Sequence, residues 1–155
     1  MSLLILDLDE TLWHATYENL PQAADCVYKG RNVYFRPNAK QFIKEIAQIS
    51  KLAIWTSAKA HYAKYCLKKL TGDLRQFAFI RTRKDCKKEV QWNQFSNETI
   101  YIKNIADLDD AYIIDDRFDC VIPNERCIRI QPFYGDREDS ALTEILISVQ
   151  QIVNK

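Results

Sequence analysis

The chain has 155 residues, a length that suits one core and one domain over 1–155. With 22 basic and 21 acidic residues its net charge is +1, which removes any global argument for nucleic acid or an anionic membrane as partner. No apolar run nears the about 20 residues that cross a bilayer, and the first run, at 3–6, meets acids at once, so neither a span nor a signal peptide is expected.

In chain order, 3–8 (LLILDL) reads as a strand buried on both faces, hence central and parallel. Residues 13–35 hold a proline and several aromatics, and alternation around Lys29-Gly30 predicts a short hairpin within an insertion. The segment from 36 to 51 reads as a helix started by Pro37, with Phe42, Ile43, Ile46 and Ile49 as its apolar stripe. A second buried strand, 52–57, ends in hydroxyls. A helix over 58–70 is closed by Thr71-Gly72. A third strand is expected at 77–80, a polar loop at 81–99, a fourth strand at 111–116 and a fifth at 127–130, with a closing helix over 138–153. Strands alternating with helices imply βαβ units and a parallel sheet flanked by helices. Glycine is scarce, with three in all, and neither a dinucleotide fingerprint nor a P-loop is present. Five cysteines, an odd number with no C-x-x-C, read as reduced thiols rather than a disulfide framework or zinc site. That fits a cytoplasmic location, or a nuclear one in a eukaryotic cell. A monomer is the default expectation.

Buried strands should avoid charge, yet the first ends in Asp7 and Asp9 and the fourth in Asp115 and Asp116, while the second ends in Thr56 and Ser57. In an open parallel sheet the carboxyl ends of the strands share one edge, where ligands bind. Four carboxylates gathered there would repel and raise one another's pKa. A divalent cation removes that conflict, and oxygen ligands with room for water and phosphate suit Mg²⁺. A carboxylate can attack phosphorus, and a second one two residues on can protonate the leaving oxygen. A hydroxyl and a lysine complete the charge balance on the phosphoryl group.

These residues resemble the motifs of the haloacid-dehalogenase-like (HAD) phosphatases: DLDETL for motif I, IWTSA for motif II, YIKN for motif III and IIDD for motif IV. Within that superfamily the segments DLDETLWH, YFRPNAKQFIKEI and RKDC resemble the FCP/SCP-type (NLI-interacting-factor-like) phosphatases of the RNA polymerase II C-terminal domain. The resemblance implies a HAD-like Rossmannoid sheet with a small β-hairpin insertion after the first strand. It implies Asp7 as nucleophile, and Asp9 as general acid and base that also lends its backbone carbonyl to Mg²⁺. Thr56, with Ser57 beside it, would bind the phosphoryl group and Lys103 would stabilise it. Asp116 would ligate the metal with Asp115 nearby, and Arg83, or else Arg81, would contact substrate. The expected substrate is a phosphorylated protein or peptide carrying phosphoserine or phosphothreonine. The magnesium-dependent-phosphatase branch, acting on phosphotyrosine or small phosphomonoesters, and a non-catalytic phosphoprotein-binding module remain as alternatives.

Two departures bear on specificity. Arg117-Phe118 follows the motif IV pair where that family usually has Ser-Pro, and the stretch between Cys86 and Lys103 is longer than in small members. His14 and His61 read as packing or solvated residues, and Lys84, Lys87 and Lys88 as a solvated cluster. Tyr28, Tyr34 and Phe35 read either as hairpin packing or as an apolar substrate pocket.

Overall fold

The structure, a computed structural model, describes residues 1–155. Its elements run β1 (Leu3–Leu6), β2 (Trp13–Thr16), β3 (Cys26–Tyr28), β4 (Arg31–Phe35), α1 (Ala39–Ile46), β5 (Lys51–Trp55), α2 (Ala60–Thr71) and β6 (Phe77–Arg81). They continue with β7 (Lys87–Trp92), β8 (Asn97–Asn104), β9 (Ala111–Asp115), β10 (Val121–Ile122), β11 (Cys127–Arg129) and α3 (Ala141–Val153), joined in places by short 3₁₀ turns.

The first strand is central, as its sequence implies. β11, β9, β1, β5 and β6 form a parallel sheet in that order, with Leu4 opposite both Leu52 and Tyr112. Leu4 and Leu6 face one layer and Ile5 the other, and all three are fully buried, which is why the run shows no polar alternation. Each such side chain contributes about 1.5–3 kcal/mol of transfer free energy. The buried residues of α1, α2 and α3 all join the layer of Leu4 and Leu6. The opposite layer is closed by Ile105 and Val121 from the connections. Helix α2 ends where the sequence places its stop: Gly72 takes φ 81° and its N–H returns to the Lys68 carbonyl at 2.8 Å.

Four expectations are corrected. The insertion is a three-stranded antiparallel sheet, β2–β4–β3, and not a lone hairpin: Trp13–Thr16 adds to the β3–β4 pair turned at Lys29-Gly30. Residues 81–99 are not a loop. They hold a 3₁₀ turn over Arg83–Asp85 and then β7, paired antiparallel to β8 through Lys87–Ile102 and Trp92–Asn97. β1 stops at Leu6 rather than Leu8, because the chain leaves the sheet at Asp7, and α3 begins at Ala141, three residues later than expected. β8 in turn pairs parallel with β10, Val121 opposite Lys103, and this pairing brings Lys103 to the carboxyl edge of the large sheet. No helix is long and apolar enough to cross a membrane.

Candidate active site

The turn after β1 winds tightly. Thr11 and Leu12 donate N–H groups to the Leu8 carbonyl at 3.0 and 2.8 Å, and Glu10 takes a left-handed φ of 62°. A non-glycine residue in that region stores strain of order 1 kcal/mol and persists only where neighbours over-determine it. Here the Glu10 N–H donates to the Trp13 carbonyl at 2.8 Å, while its own carbonyl accepts from Phe133 N–H at 2.8 Å and from Arg36 Nη1 at 3.3 Å. Arg36, 1% exposed, follows β4 and donates to the Thr11 carbonyl (3.2 Å), the Gln131 carbonyl (2.7 Å) and both oxygens of Asp139 (2.7 and 2.9 Å). One buried guanidinium thus ties the insertion to the turn that carries Asp7 and Asp9.

At the sheet edge, Lys103 Nζ donates to Asp7 Oδ1 at 2.6 Å and to Asp115 Oδ2 at 2.7 Å, all three groups being buried. Thr11 Oγ1 donates to Asp7 Oδ2 at 2.8 Å and lies 3.4 Å from Asp116 Oδ1. Carboxylate oxygens of Asp7, Asp115 and Asp116 come within 4.8 Å of one another. One lysine against three carboxylates leaves two negative charges uncompensated. Burial therefore prevails over Lys103 for the acids and pushes Asp7 and Asp115 up to about 6, with Asp116 also raised. For Lys103 the two carboxylates prevail over burial and hold it charged. A dry cluster of hard oxygen donors with surplus negative charge fits a divalent cation of the Mg²⁺ or Ca²⁺ class.

Asp9 does not join that cluster with its carboxylate. Its Oδ1 accepts from Tyr62 Oη at 2.5 Å and from Trp13 Nε1 at 3.1 Å, and the Tyr62 hydroxyl itself accepts from Trp13 Nε1 at 2.9 Å. Burial raises its pKa and these donors pull it back. Asp9 thus stands beside the Asp7–Lys103 pair with its carboxyl held in place by Tyr62 and Trp13.

Asp7, Asp9, Lys103, Asp115, Asp116 and Ser57 all line one cavity of about 300 Å³. Thr56 is buried behind it, its hydroxyl accepting the Ala58 N–H at 3.1 Å, so Ser57 is the motif II hydroxyl at the cavity wall. Arg83 lies beyond Ser57, donating Nε to the Ser57 carbonyl at 2.7 Å, and lines a second cavity that also reaches Asp9. Arg81 points elsewhere, stacked over Trp55 and Phe79.

Some residues of the site escape a reading of the sequence. Glu10 lines the cavity, its pKa pushed up to about 8 by burial and by Asp9, Asp116 and Asp7, with His14 Nδ1 at 3.4 Å. Its position inside DLDETL is the only signal it gives. Tyr62 and Arg36 act over long sequence separations and carry no local signal. Glu98 and Tyr101 reach the cavity wall because 87–104 is a hairpin rather than a loop, and Arg117 reaches it from the end of β9.

The chain is 27% identical over 156 residues to Phosphatase PSR1 of Saccharomyces cerevisiae, which covers 92% of this chain and 34% of that protein. Its fold is similar to that of the RNA polymerase II CTD phosphatase Fcp1 of fission yeast, bound to beryllium fluoride in that structure (TM-score 0.61, 21% identity, 97% of this chain and 50% of the other). It is also similar to an uncharacterized protein of Listeria monocytogenes serotype 4b (TM-score 0.63, 16% identity, 100% of both chains). The chain therefore spans about a third of PSR1 and half of the Fcp1 chain. The profile of the NLI interacting factor-like phosphatases matches residues 2–155, the whole of the fold and cavity described above, and the chain belongs to that family.

Proposed function

We propose that residues 1–155 form one catalytic domain, a Mg²⁺-dependent phosphomonoesterase that works through an aspartyl-phosphate at Asp7 on phosphoserine or phosphothreonine in a peptide. The observation that carries this reading is Lys103 shared between Asp7 and Asp115, with Asp116 beside them at an open cavity. Asp7, Asp115, Asp116 and the main chain of Asp9 would hold the cation, which when bound neutralises charge on the phosphoryl oxygens.

An Asp7 oxygen attacks phosphorus, and the bond from phosphorus to the substrate oxygen breaks. Asp9 gives its proton to that leaving oxygen; burial, which favours the protonated acid, supports this role. Water then attacks the acyl phosphate, Asp9 takes the proton back, and inorganic phosphate leaves with Asp7 restored. Lys103 and the motif II hydroxyl of Ser57 offset the charge that develops on the phosphoryl group, Thr56 braces the turn behind it, and Arg83 at the rim supports contact with the rest of the substrate.

Hydrolysis of para-nitrophenyl phosphate with Mg²⁺ or with EDTA tests the chemistry. Turnover by the wild type should require Mg²⁺, and Asp7→Asn should lower it by about 10³-fold or more, as loss of a covalent nucleophile does. Phosphopeptides against sugar phosphates then separate the substrate classes. A folded wild type that binds Mg²⁺ yet turns over no phosphomonoester would leave the binding-module reading in place.

A further inference from the structure

A groove of about 640 Å³ opens on the far side of Asp9 and Ser57, which line both it and the catalytic cavity. Its character is the reverse of its neighbour's. The catalytic cavity is walled by six carboxyl groups, those of Asp7, Asp9, Glu10, Glu98, Asp115 and Asp116. The groove is walled by Lys29, Arg31, Lys59 and Arg83, with Asp9 its single carboxylate. Asp9 is already engaged by Tyr62 and Trp13, and none of the four cations has an ion-pair partner.

Three of these cations are held by neutral groups. The Arg31 guanidinium lies 4.4 Å over the Tyr62 ring, Lys29 Nζ lies 5.6 Å over the Tyr28 ring, and Arg83 donates to the Ser57 carbonyl. Cations braced on aromatic faces and carbonyls have lost part of their rotamer freedom while their charge stays unneutralised. Such an arrangement favours an incoming anion more than four free lysines would. The groove shares Asp9 and Ser57 with the catalytic cavity, so it is placed to take an anion carried by the same molecule as the scissile phosphate.

We infer that this groove receives a second acidic group, a phosphoryl or a carboxylate, on a residue close in sequence to the phosphoresidue being hydrolysed, and that the chain selects such peptides over singly charged ones. This rests on the phosphatase reading above and names the peptide class for the same site. Lys29 and Arg31 come from the β3–β4 hairpin, while Lys59 and Arg83 follow β5 and β6, so the insertion and the sheet edge set the preference together. The sites are partly exposed, so the preference weakens as salt rises past the Debye regime of about 0.1–0.15 M.

The test uses the full chain with Mg²⁺ and peptides of equal length. Each has a central phosphoserine and, within three residues on either side, alanine, glutamate or a non-hydrolysable phosphonate analogue of phosphoserine. The expected result is a kcat/KM about ten-fold higher for the doubly charged peptides, the scale of two partly exposed ion pairs. The double variant Lys29→Gln/Lys59→Gln should bring the ratio near one, and Lys29→Arg/Lys59→Arg should keep it, which separates lost charge from lost folding. Enhancement by phosphonate alone assigns the groove to a phosphoryl group; enhancement by both assigns it to negative charge. Equal rates for all peptides in the wild type, or a ratio that survives the Gln variant, overturns the inference while leaving the phosphatase intact. Absence of turnover of every peptide and of para-nitrophenyl phosphate overturns the phosphatase reading and this inference with it.

Discussion

The insertion sheet β2–β4–β3 buries Trp13 and Val33 completely and rests on α2, with Tyr28 and Tyr62 ring centroids 5.4 Å apart. The hairpin β7–β8, which walls the catalytic cavity, leaves Val90 45%, Trp92 77% and Phe95 88% exposed. Its outer half is held by cross-strand pairing and by the turn, where the Asn93 side chain accepts N–H groups of Phe95 and Ser96 at 2.8 and 2.9 Å. Only its inner end, Ile100, Ile102 and Lys103, is buried. Secondary structure of one kind thus serves two purposes. The insertion is welded to the body and fixes Asp9 through Trp13, while the hairpin is anchored only at its inner end, by Ile100, Ile102 and Lys103, and its tip is free of the core.

The largest break in this comparison comes from Arg36→Met. It removes the cation paired with Asp139 and the side-chain donor to the Thr11 and Gln131 carbonyls, and should cost about 3–5 kcal/mol in urea unfolding. A loss under about 1 kcal/mol would show that the insertion is not anchored through that guanidinium.

Lys103→Met cuts the hairpin's anchor and should cost about 2 kcal/mol at pH 7 without divalent ions. The sign follows from the acids. Asp7 and Asp115 titrate near 6 in the fold against an ordinary 3.8, so their raised pKa costs nothing below about pH 4 and its full amount above pH 6. Without Lys103 the same acids rise further, so the loss widens from pH 4 to 8 and Mg²⁺ should recover part of it. Denaturant midpoints across that range check this, and a loss independent of pH would refute it.

The smallest effect belongs to the tip. Trp92→Ser with Phe95→Ser should change stability by less than about 0.5 kcal/mol, whereas Val33→Ala in the insertion should cost about 2 kcal/mol. Equal losses measured by thermal unfolding would erase the distinction between the two sheets.

The same contrast explains what could be read from the sequence. The acids at 7, 9, 115 and 116 stand out because each pair interrupts a fully apolar strand, and burial on both faces leaves such strands no other reason to carry charge. The hairpin 87–104 hides for the opposite reason. With both faces of its outer half in water, KKEVQW and NETI show no apolar alternation, so nothing separates them from a polar loop. Trp13–Thr16 is hidden by its brevity, since four residues cannot display a period. Arg36 in RPN looks like any solvated arginine, and its burial is imposed by Asp139, 103 positions away. Thr56 and Ser57 are distinguished only by which way the chain turns after β5.

Lys103 and Asp7 are 96 positions apart, and the strand bearing Asp7 lies between β5 and β9. During synthesis Asp7 is therefore made well before the lysine and the carboxylates that complete its surroundings. A nascent chain holding β1, the insertion, β5 and β6 has a strand with one edge open and an aspartate with no cation. The acidic cluster is complete only once β9 pairs beside β1 and brings Asp115 and Asp116 to Asp7. Divalent-ion affinity would therefore report that β9 has paired with β1.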